Sequence, residues 1–249
     1  MRLSRLFIAA GLCLSTNLAC AVDVTVSAAA SLRDAFTEIA REFERANPQH
    51  KVLLNLGASG QLLQQISRGA PVDVFASADQ DTMDRAQTQN LVFRETRVNF
   101  TRNALVLSVP IAATTVPTTL ADLTTGDFAR IAIGNPDSVP AGRYAKSALD
   151  KAKLWDTLKP RLVNTQNVRQ ALDYVARREA DAGFVYLTDA VLMPERIRVA
   201  FTVPLDADVL YPIAVVKGGG AADVGRAFVK FVVSDKAQAI LTRFRFAKP

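Results

Sequence analysis

Segments in which apolar residues recur at every second position alternate along the chain with segments in which they recur every three or four positions. The segment Val22–Ser27 reads V-D-V-T-V-S, and a period of two is typical of a strand. From Leu32 to Phe43 apolar residues recur every three or four positions, which predicts a helix that ends at Asn47-Pro48. The pattern continues with a strand at 52–56, a helix from 62 to the break at 69, a strand at 72–76 and a helix at 79–89. This alternation predicts an α/β fold with a parallel sheet.

A second alternating unit covers about 105–205. Its predicted strands are 104–109, 130–133, 162–163 and 183–186, its helices are 141–152 and 167–178, and a strand at 209–216 and helices at 221–233 and 235–243 close the chain. Since no flexible linker separates the units, we predict two lobes that are joined by extended segments near 100–104 and 206–211. Lobe 1 would comprise 22–103 plus 208–249, and lobe 2 would comprise 104–207.

The first 21 residues predict a secretory signal peptide. Arg2 and Arg5 give a basic start, an apolar run of about nine residues follows, and Ala19-Cys20-Ala21 matches the small-x-small cleavage pattern. That run is too short to span a bilayer, and no later segment is long and apolar enough. We therefore predict export to the periplasm, with cleavage after Ala21.

Composition narrows the chemistry of the exported part. Both cysteines, Cys13 and Cys20, lie in the predicted signal peptide, so we expect no disulfide and no thiolate site. Taking the two arginines of 1–21 from 30 basic residues leaves 28 against 24 acidic ones, a net charge of +4. A mild positive charge helps to gather anions, although ordinary solubility explains it equally well. No dense Lys/Arg run indicates nucleic-acid binding, and no His or carboxylate cluster indicates a cation site.

The stretch NLGASGQLLQQI, Asn55–Ile66, places Ser59 on a small-residue turn between a strand and a helix. One hypothesis is a secreted serine hydrolase that uses Ser59 as its nucleophile. A hydrolase elbow requires Gly-x-Ser-x-Gly, however, and Gly60 stands one place too early. The one histidine, His50, lies on a polar turn and is a poor candidate for the general base. We therefore favour a binding protein over an enzyme and predict no catalytic residue.

Hydrogen-bond donors recur at four predicted helix starts, two in each lobe. The motifs are AAASL with Ser31, GASGQ with Ser59, VPAGRY with Ala141 and NTQNVRQ with Val168. The unpaired N–H groups and partial positive charge of a helix start bind anions without a basic side chain. Since ligands of open α/β sheets bind at the carboxyl ends of strands, the four starts predict a cleft for a small oxyanion. Helix capping alone would also explain each serine, and Ser31–Asp34 resembles a capping box.

Five segments resemble the molybdate-binding proteins of bacterial ABC importers, in order and over nearly the whole predicted mature chain. They are VTVSAAASLRDAF, LGASGQLLQQISRGAPVDVFASADQDTMD, IGNPDSVPAGRYAKSALDKAKLWDTL, NVRQALDYVARREADAGFVYLTDA and YPIAVVKG. The resemblance implies a type II periplasmic-binding-protein fold with the ligand cleft between two α/β lobes. It also implies a monomer without a cofactor that captures molybdate or tungstate and delivers it to the membrane permease of an ABC importer.

The resemblance further implies the residues that bind the anion. These are Ser31 and Ser59 through hydroxyl and N–H groups, Ala141 and Val168 through N–H groups, and Tyr186 through its hydroxyl. Molybdenum would be bound as its oxyanion, so no direct cation site is implied. Gly60 departs from relatives that have a second serine there, and Ser77 and Asp79 are predicted to form a cap beside the cleft. A receptor for sulfate or another small oxyanion remains the alternative, because rejection of sulfate depends on pocket size.

Overall fold

Two five-stranded sheets organise residues 22–249, the part of the chain that the computed structural model describes. The predicted signal peptide at 1–21 lies outside the described residues. The strands are β1 Val22–Ala29, β2 His50–Gly57, β3 Val74–Ala76, β4 Val98–Asn103, β5 Leu105–Pro110, β6 Ile131–Gly134, β7 Leu162–Thr165, β8 Ala182–Tyr186, β9 Ile197–Thr202 and β10 Val209–Val215. The α-helices are α1 Arg33–Ala46, α2 Ser59–Ser67, α3 Gln80–Thr88, α4 Pro140–Lys151, α5 Trp155–Leu158, α6 Val168–Ala176, α7 Leu187–Ala190, α8 Ala222–Val232 and α9 Asp235–Arg243.

Each sheet mixes parallel and antiparallel strands. The first sheet has the order β2-β1-β3-β10-β4, and the second has the order β7-β6-β8-β5-β9. In the first sheet β10 is antiparallel to β3 and β4, and in the second sheet β5 is antiparallel to β8 and β9. The parallel pairing predicted for the first three strands is confirmed for β1, β2 and β3, and the antiparallel strands β10 and β5 were not predicted. We call the first sheet with its helices lobe 1 and the second sheet with its helices lobe 2.

The antiparallel strands follow from how the chain crosses between the lobes. Strand β4 ends at Asn103 and β5 begins at Leu105, so Ala104 alone separates a strand of lobe 1 from a strand of lobe 2. Strand β10 begins at Val209, which pairs with Asn103 at the same crossing. A strand that starts at the crossing runs away from the cleft, whereas β1 and β6 run toward it. The residue bounds predicted for the lobes, 22–103 with 208–249 and 104–207, stay a prediction.

The last two helices cover lobe 1. Phe36 and Phe43 of α1 contact Phe228 of α8, with ring centroids 6.1 and 5.3 Å apart and edge-to-face geometry. Such pairs add specific geometry to the burial of large apolar surfaces. Helix α8 also lies on β10, and α9 packs against α1. Within residues 22–249, no helix is both long and apolar enough to cross a membrane.

Candidate functional site

A cavity between the lobes is lined by all five residues that the sequence predicts at the site: Ser31, Ser59, Ala141, Val168 and Tyr186. Its volume is small, about 10 Å³, which is room for about one water molecule. The two serines come from lobe 1 and the other three residues come from lobe 2, and all five are buried. The structure therefore brings the predicted residues together, and their role as donors to a ligand stays a prediction.

Three α-helices begin at this cavity. Helix α2 begins at Ser59, α4 at Pro140 and α6 at Val168. Asn167 caps α6 by accepting a hydrogen bond from the N–H of Gln170 at 3.1 Å. In the described part of the chain, neither α2 nor α4 has a side-chain cap at its start. Since the first N–H groups of a helix have no partner within the helix, these starts offer backbone donors and positive dipole ends to the cavity.

The position of Ser31 differs from the predicted capping box, which is wrong. Strand β1 continues to Ala29, and a 3-10 turn at Ala30–Leu32 follows before α1 begins at Arg33. This turn moves Ser31 away from the helix start and places it at the cavity. Its Oγ lies 3.0 Å from the hydroxyl oxygen of Tyr211 in β10, within hydrogen-bond distance.

The Ser59 hydroxyl can donate a hydrogen bond to an acceptor in the cavity. Its Oγ accepts a hydrogen bond from the backbone N–H of Ala78 at 3.0 Å. A backbone N–H only donates, so this contact occupies a lone pair of the hydroxyl and leaves its O–H available. Ser59 thus presents a hydroxyl donor beside the backbone donors of α2.

The hydroxyl of Tyr186 is buried at the cavity and has no hydrogen-bond partner among residues 22–249. Burial raises the pKa of this hydroxyl well above its ordinary value of 10, and the neighbouring Tyr211 raises it further. Tyr186 therefore keeps its proton throughout the neutral range. A buried hydroxyl without a partner costs about 1–3 kcal/mol, so an acceptor that enters the cavity would relieve that cost.

Two arginines of lobe 2 reach carboxylates of lobe 1 across the cleft. Arg143 of α4 donates to Asp79, and Arg169 of α6 donates to Asp34 at 2.6 Å while also pairing with Asp189 of its own lobe. Sequence reasoning missed both arginines, because each follows a predicted ligand residue by one or two positions without a motif of its own. These ion pairs join the two lobes across the cleft.

The predicted cap at Ser77 and Asp79 is confirmed. Asp79 Oδ1 accepts from the N–H of Thr82 at 3.2 Å and from Ser77 Oγ at 3.1 Å, so the carboxylate caps α3. Its other oxygen accepts from Arg143. One side chain thus serves both a helix of lobe 1 and a contact with lobe 2.

Comparison with known proteins identifies the family. The family model described as bacterial extracellular solute-binding protein matches residues 24–247. The chain belongs to this family. It is 35% identical to the molybdate-binding protein ModA of Haemophilus influenzae, over 94% of this chain and 93% of that protein. It is 39% identical to the molybdate-binding protein ModA of Escherichia coli, over 90% of this chain and 88% of that protein.

A solved structure agrees with the fold of this solute-binding protein. The periplasmic molybdate-binding protein of Azotobacter vinelandii is similar with a TM-score of 0.79 and 24% identity, covering 91% of this chain and 99% of that one. A likeness at this level of identity shows the fold. The predicted two-lobed periplasmic-binding-protein fold is therefore confirmed.

The lobes of this solute-binding protein touch at Gly60. Its N–H donates to the carbonyl oxygen of Ser138 in lobe 2 at 3.0 Å. A Cβ atom at Gly60 would lie 2.7 Å from that oxygen, closer than real Cβ contacts allow. A serine at this position would therefore push the lobes apart or shift the Ser138 backbone. The absence of a side chain at Gly60 thus permits the close contact of the two lobes at this point.

The solute-binding protein keeps its histidine far from Ser59. His50 begins β2, with Nδ1 3.1 Å from the carbonyl oxygen of Val22, whereas Ser59 follows the other end of that strand. A strand of this length spans on the order of 20 Å, so His50 cannot serve as a base for Ser59. Among the described residues, no group of three or more His, Cys, Asp or Glu could hold a metal ion.

Proposed function

We propose that this protein captures molybdate or tungstate in the periplasm and delivers it to the membrane permease of an ABC importer. The proposed donors are the hydroxyls of Ser31, Ser59 and Tyr186 and the backbone N–H groups of Ala141 and Val168. The observation that carries the proposal is the Tyr186 hydroxyl, a buried donor at the cavity without a partner among residues 22–249. The names of the two ModA relatives support the choice of anion.

The donor set favours an oxyanion that carries no proton. Molybdate and tungstate are dianions that accept many hydrogen bonds and donate none, and each charge-assisted bond contributes about 1.5–3 kcal/mol. Phosphate near neutral pH retains a proton that requires an acceptor, and a pocket of donors leaves that proton unpaired. Sulfate has no such proton, so we propose that it is rejected by the size of the cavity.

A thermal-shift panel on ligand-stripped protein tests the proposal. If molybdate binds with a Kd near ~1 μM, then 1 mM stabilises the protein by about 4 kcal/mol. For a chain of this size, that corresponds to a rise in Tm of roughly 8–16 °C. We expect tungstate to match molybdate, sulfate to be far weaker and phosphate to be weakest. No shift with either molybdate or tungstate would refute the assignment.

Two outcomes of the panel would favour the alternatives. A larger shift with sulfate than with molybdate would indicate a sulfate receptor with a smaller cavity. Turnover of an ester or peptide that is lost in Ser59→Ala would indicate the secreted hydrolase, although His50 is too distant to assist it. We propose no catalytic role for any residue.

We also propose that the two lobes close around the anion and that the protein acts as a monomer after removal of residues 1–21. The proposed donors come from both lobes, so neither lobe alone satisfies the ligand. Ligand binding then favours the closed form by its differential affinity for that form. Small-angle scattering should show a more compact, monomeric particle with molybdate than without it, and an unchanged profile would count against closure.

A further inference from the structure

Asn103 lies at the crossing between the lobes and contacts both of them. Its Nδ2 donates to the hydroxyl oxygen of Tyr211 in lobe 1 at 3.2 Å and to Oγ1 of Thr188 in lobe 2 at 2.8 Å. Its Oδ1 accepts from the backbone N–H of Ala104 at 2.9 Å. Because a backbone N–H can only donate, this last contact fixes which end of the amide faces the two hydroxyls.

The direction of these hydrogen bonds continues to the cavity. Among residues 22–249 the Tyr211 hydroxyl has two partners, Asn103 Nδ2 and Ser31 Oγ, the latter 3.0 Å away. The amide nitrogen cannot accept, so the buried hydroxyl directs its own proton to Ser31 Oγ. Burial keeps that proton in place, since it raises the pKa of Tyr211 well above its ordinary value. Ser31 accepts from Tyr211 and retains its own proton for the cavity. The amide of Asn103 thus sets the direction of every bond up to the cavity.

We propose that Asn103 and Tyr211 are positioning residues that force Ser31 to act as a donor, and that they thereby make the cavity select oxyanions without a proton. This inference rests on the proposed function and deepens it. Both residues act through Ser31 and not by touching the anion. The same cavity with the bonds reversed would present a lone pair of Ser31 to the ligand.

Asn103→Asp should produce that reversal. An aspartate still accepts from the N–H of Ala104, but its second oxygen also accepts and therefore takes the proton of Tyr211. The Tyr211 oxygen then accepts from Ser31, which leaves Ser31 with only lone pairs for the cavity. Molybdate loses one donor and meets a lone pair, whereas the proton of an oxyanion such as hydrogen arsenate gains an acceptor.

Calorimetric titration with molybdate and with arsenate at pH 8 tests the proposal in full-length mature protein. Both probes are mainly dianions at that pH, so a new negative charge affects them alike and the ratio of their affinities reports the direction of the bonds. We expect Asn103→Asp to weaken molybdate binding roughly ten- to hundredfold and to lower the molybdate-to-arsenate ratio about tenfold or more. Asn99→Asp is the matched control, because Asn99 lies exposed on the same strand and contacts Gln80 instead.

Tyr211→Phe separates the relay from a general disturbance. Without the Tyr211 hydroxyl, the oxygen of Ser31 is free to accept from arsenate, so this variant alone should lower the ratio about threefold or more. Adding Asn103→Asp to Tyr211→Phe should then cause no further change in the ratio. The single Tyr211→Phe measurement also tests the relay if Asn103→Asp does not fold.

The outcomes separate the two proposals. A wild-type protein that binds no tetrahedral oxyanion overturns both of them. A wild-type protein that binds molybdate, together with an unchanged ratio in Asn103→Asp and Tyr211→Phe, overturns the relay alone. The relay is also overturned if Asn103→Asp lowers the molybdate-to-arsenate ratio as much in the Tyr211→Phe variant as in the wild type. It is likewise overturned if Asn99→Asp lowers the ratio as much as Asn103→Asp does.

Discussion

Arg143 of lobe 2 donates two hydrogen bonds to a single carboxylate oxygen of Asp79 in lobe 1, from Nε at 2.8 Å and from Nη2 at 2.6 Å. The same Nη2 donates to Oγ1 of Thr82 at 2.7 Å. The Asp79 side chain is 4% exposed, so the pair is shielded from water and exceeds an ordinary surface ion pair in strength. Because its partners belong to different lobes, it links the two lobes directly.

Arg143→Ala should weaken molybdate binding about five- to thirtyfold, mainly through faster dissociation, since the closed form loses these donors. Stopped-flow dissociation and calorimetry measure the effect. Arg130→Ala is the control, because Arg130 pairs with Asp181 within lobe 2 and is 56% exposed. Equal dissociation rates in wild type and Arg143→Ala would show that the ion pair does not hold the lobes together.

Tyr186→Phe should stabilise the ligand-free protein and weaken ligand binding at once. The variant removes a buried hydroxyl that has no partner among residues 22–249, so the free energy of unfolding without ligand should rise by about 1 kcal/mol. Molybdate affinity should fall about 5–150-fold, because one donor is lost. Urea unfolding tests the change in stability, and calorimetry tests the change in affinity. Tyr174→Phe is the control, because Tyr174 lies outside the cavity lining. If Tyr186→Phe instead lowers the free energy of unfolding without ligand, then the Tyr186 hydroxyl does have a hydrogen-bond partner in the ligand-free protein.

Ser59→Ala should lower both the free energy of unfolding and the affinity for molybdate. The variant removes a proposed donor and also leaves the N–H of Ala78 without its acceptor, at a cost of about 1–3 kcal/mol in the free energy of unfolding. Molybdate affinity should fall about 5–150-fold. Ser67→Ala, on the exposed end of the same helix, should leave affinity unchanged. If Ser59→Ala binds like wild type, then Ser59 serves only the N–H of Ala78.

The stability of the protein should depend on pH through Asp189. Burial raises the pKa of this carboxyl from 3.8 to about 6, because desolvation outweighs the attraction of Arg169. The folded protein therefore holds the proton more tightly than the unfolded chain does. The stabilising contribution is fully present below pH 4 and is lost as the pH rises through 6.

Comparison with Asp189→Asn isolates this effect from other carboxyls. We subtract the free energy of unfolding of Asp189→Asn from that of the wild type, both measured in urea. This difference should fall by about 2 kcal/mol between pH 4.5 and pH 7.5. A difference that stays constant over this range would contradict the raised pKa. Molybdate binding should be flat between pH 7 and pH 9, since burial keeps Tyr186 protonated there.

Periodicity predicted most helices and strands, because burial imposes a repeat that the sequence must follow. It missed the edge strands β4 and β9, in which buried and exposed positions do not alternate along the strand. Val199 in β9, for example, is 38% exposed. Strand direction could not be predicted from the sequence either, since a period of two is the same for parallel and antiparallel neighbours. The direction of β5 follows from the crossing at Ala104, a tertiary feature.

The residues at the cavity were predictable to different degrees. Ser31 and Ser59 stood out on small-residue turns before predicted helices, and Tyr186 came from the family resemblance. Asn103 and Tyr211 gave no signal, because polar and aromatic residues are ordinary in strands and these two are separated by 108 positions. The role we propose for them depends on the direction of their hydrogen bonds, which only the folded arrangement specifies.

Strand β10 lies between β3 and β4, although it follows both by more than a hundred residues. Until residues 209–215 emerge, the first sheet consists of two unjoined parts, and Tyr211 is missing from behind Ser31. A chain that emerges amino-terminus first would thus complete lobe 2 before lobe 1. A product truncated before Val209 should be unable to retain an anion, so partial copies would not compete with the complete protein for ligand.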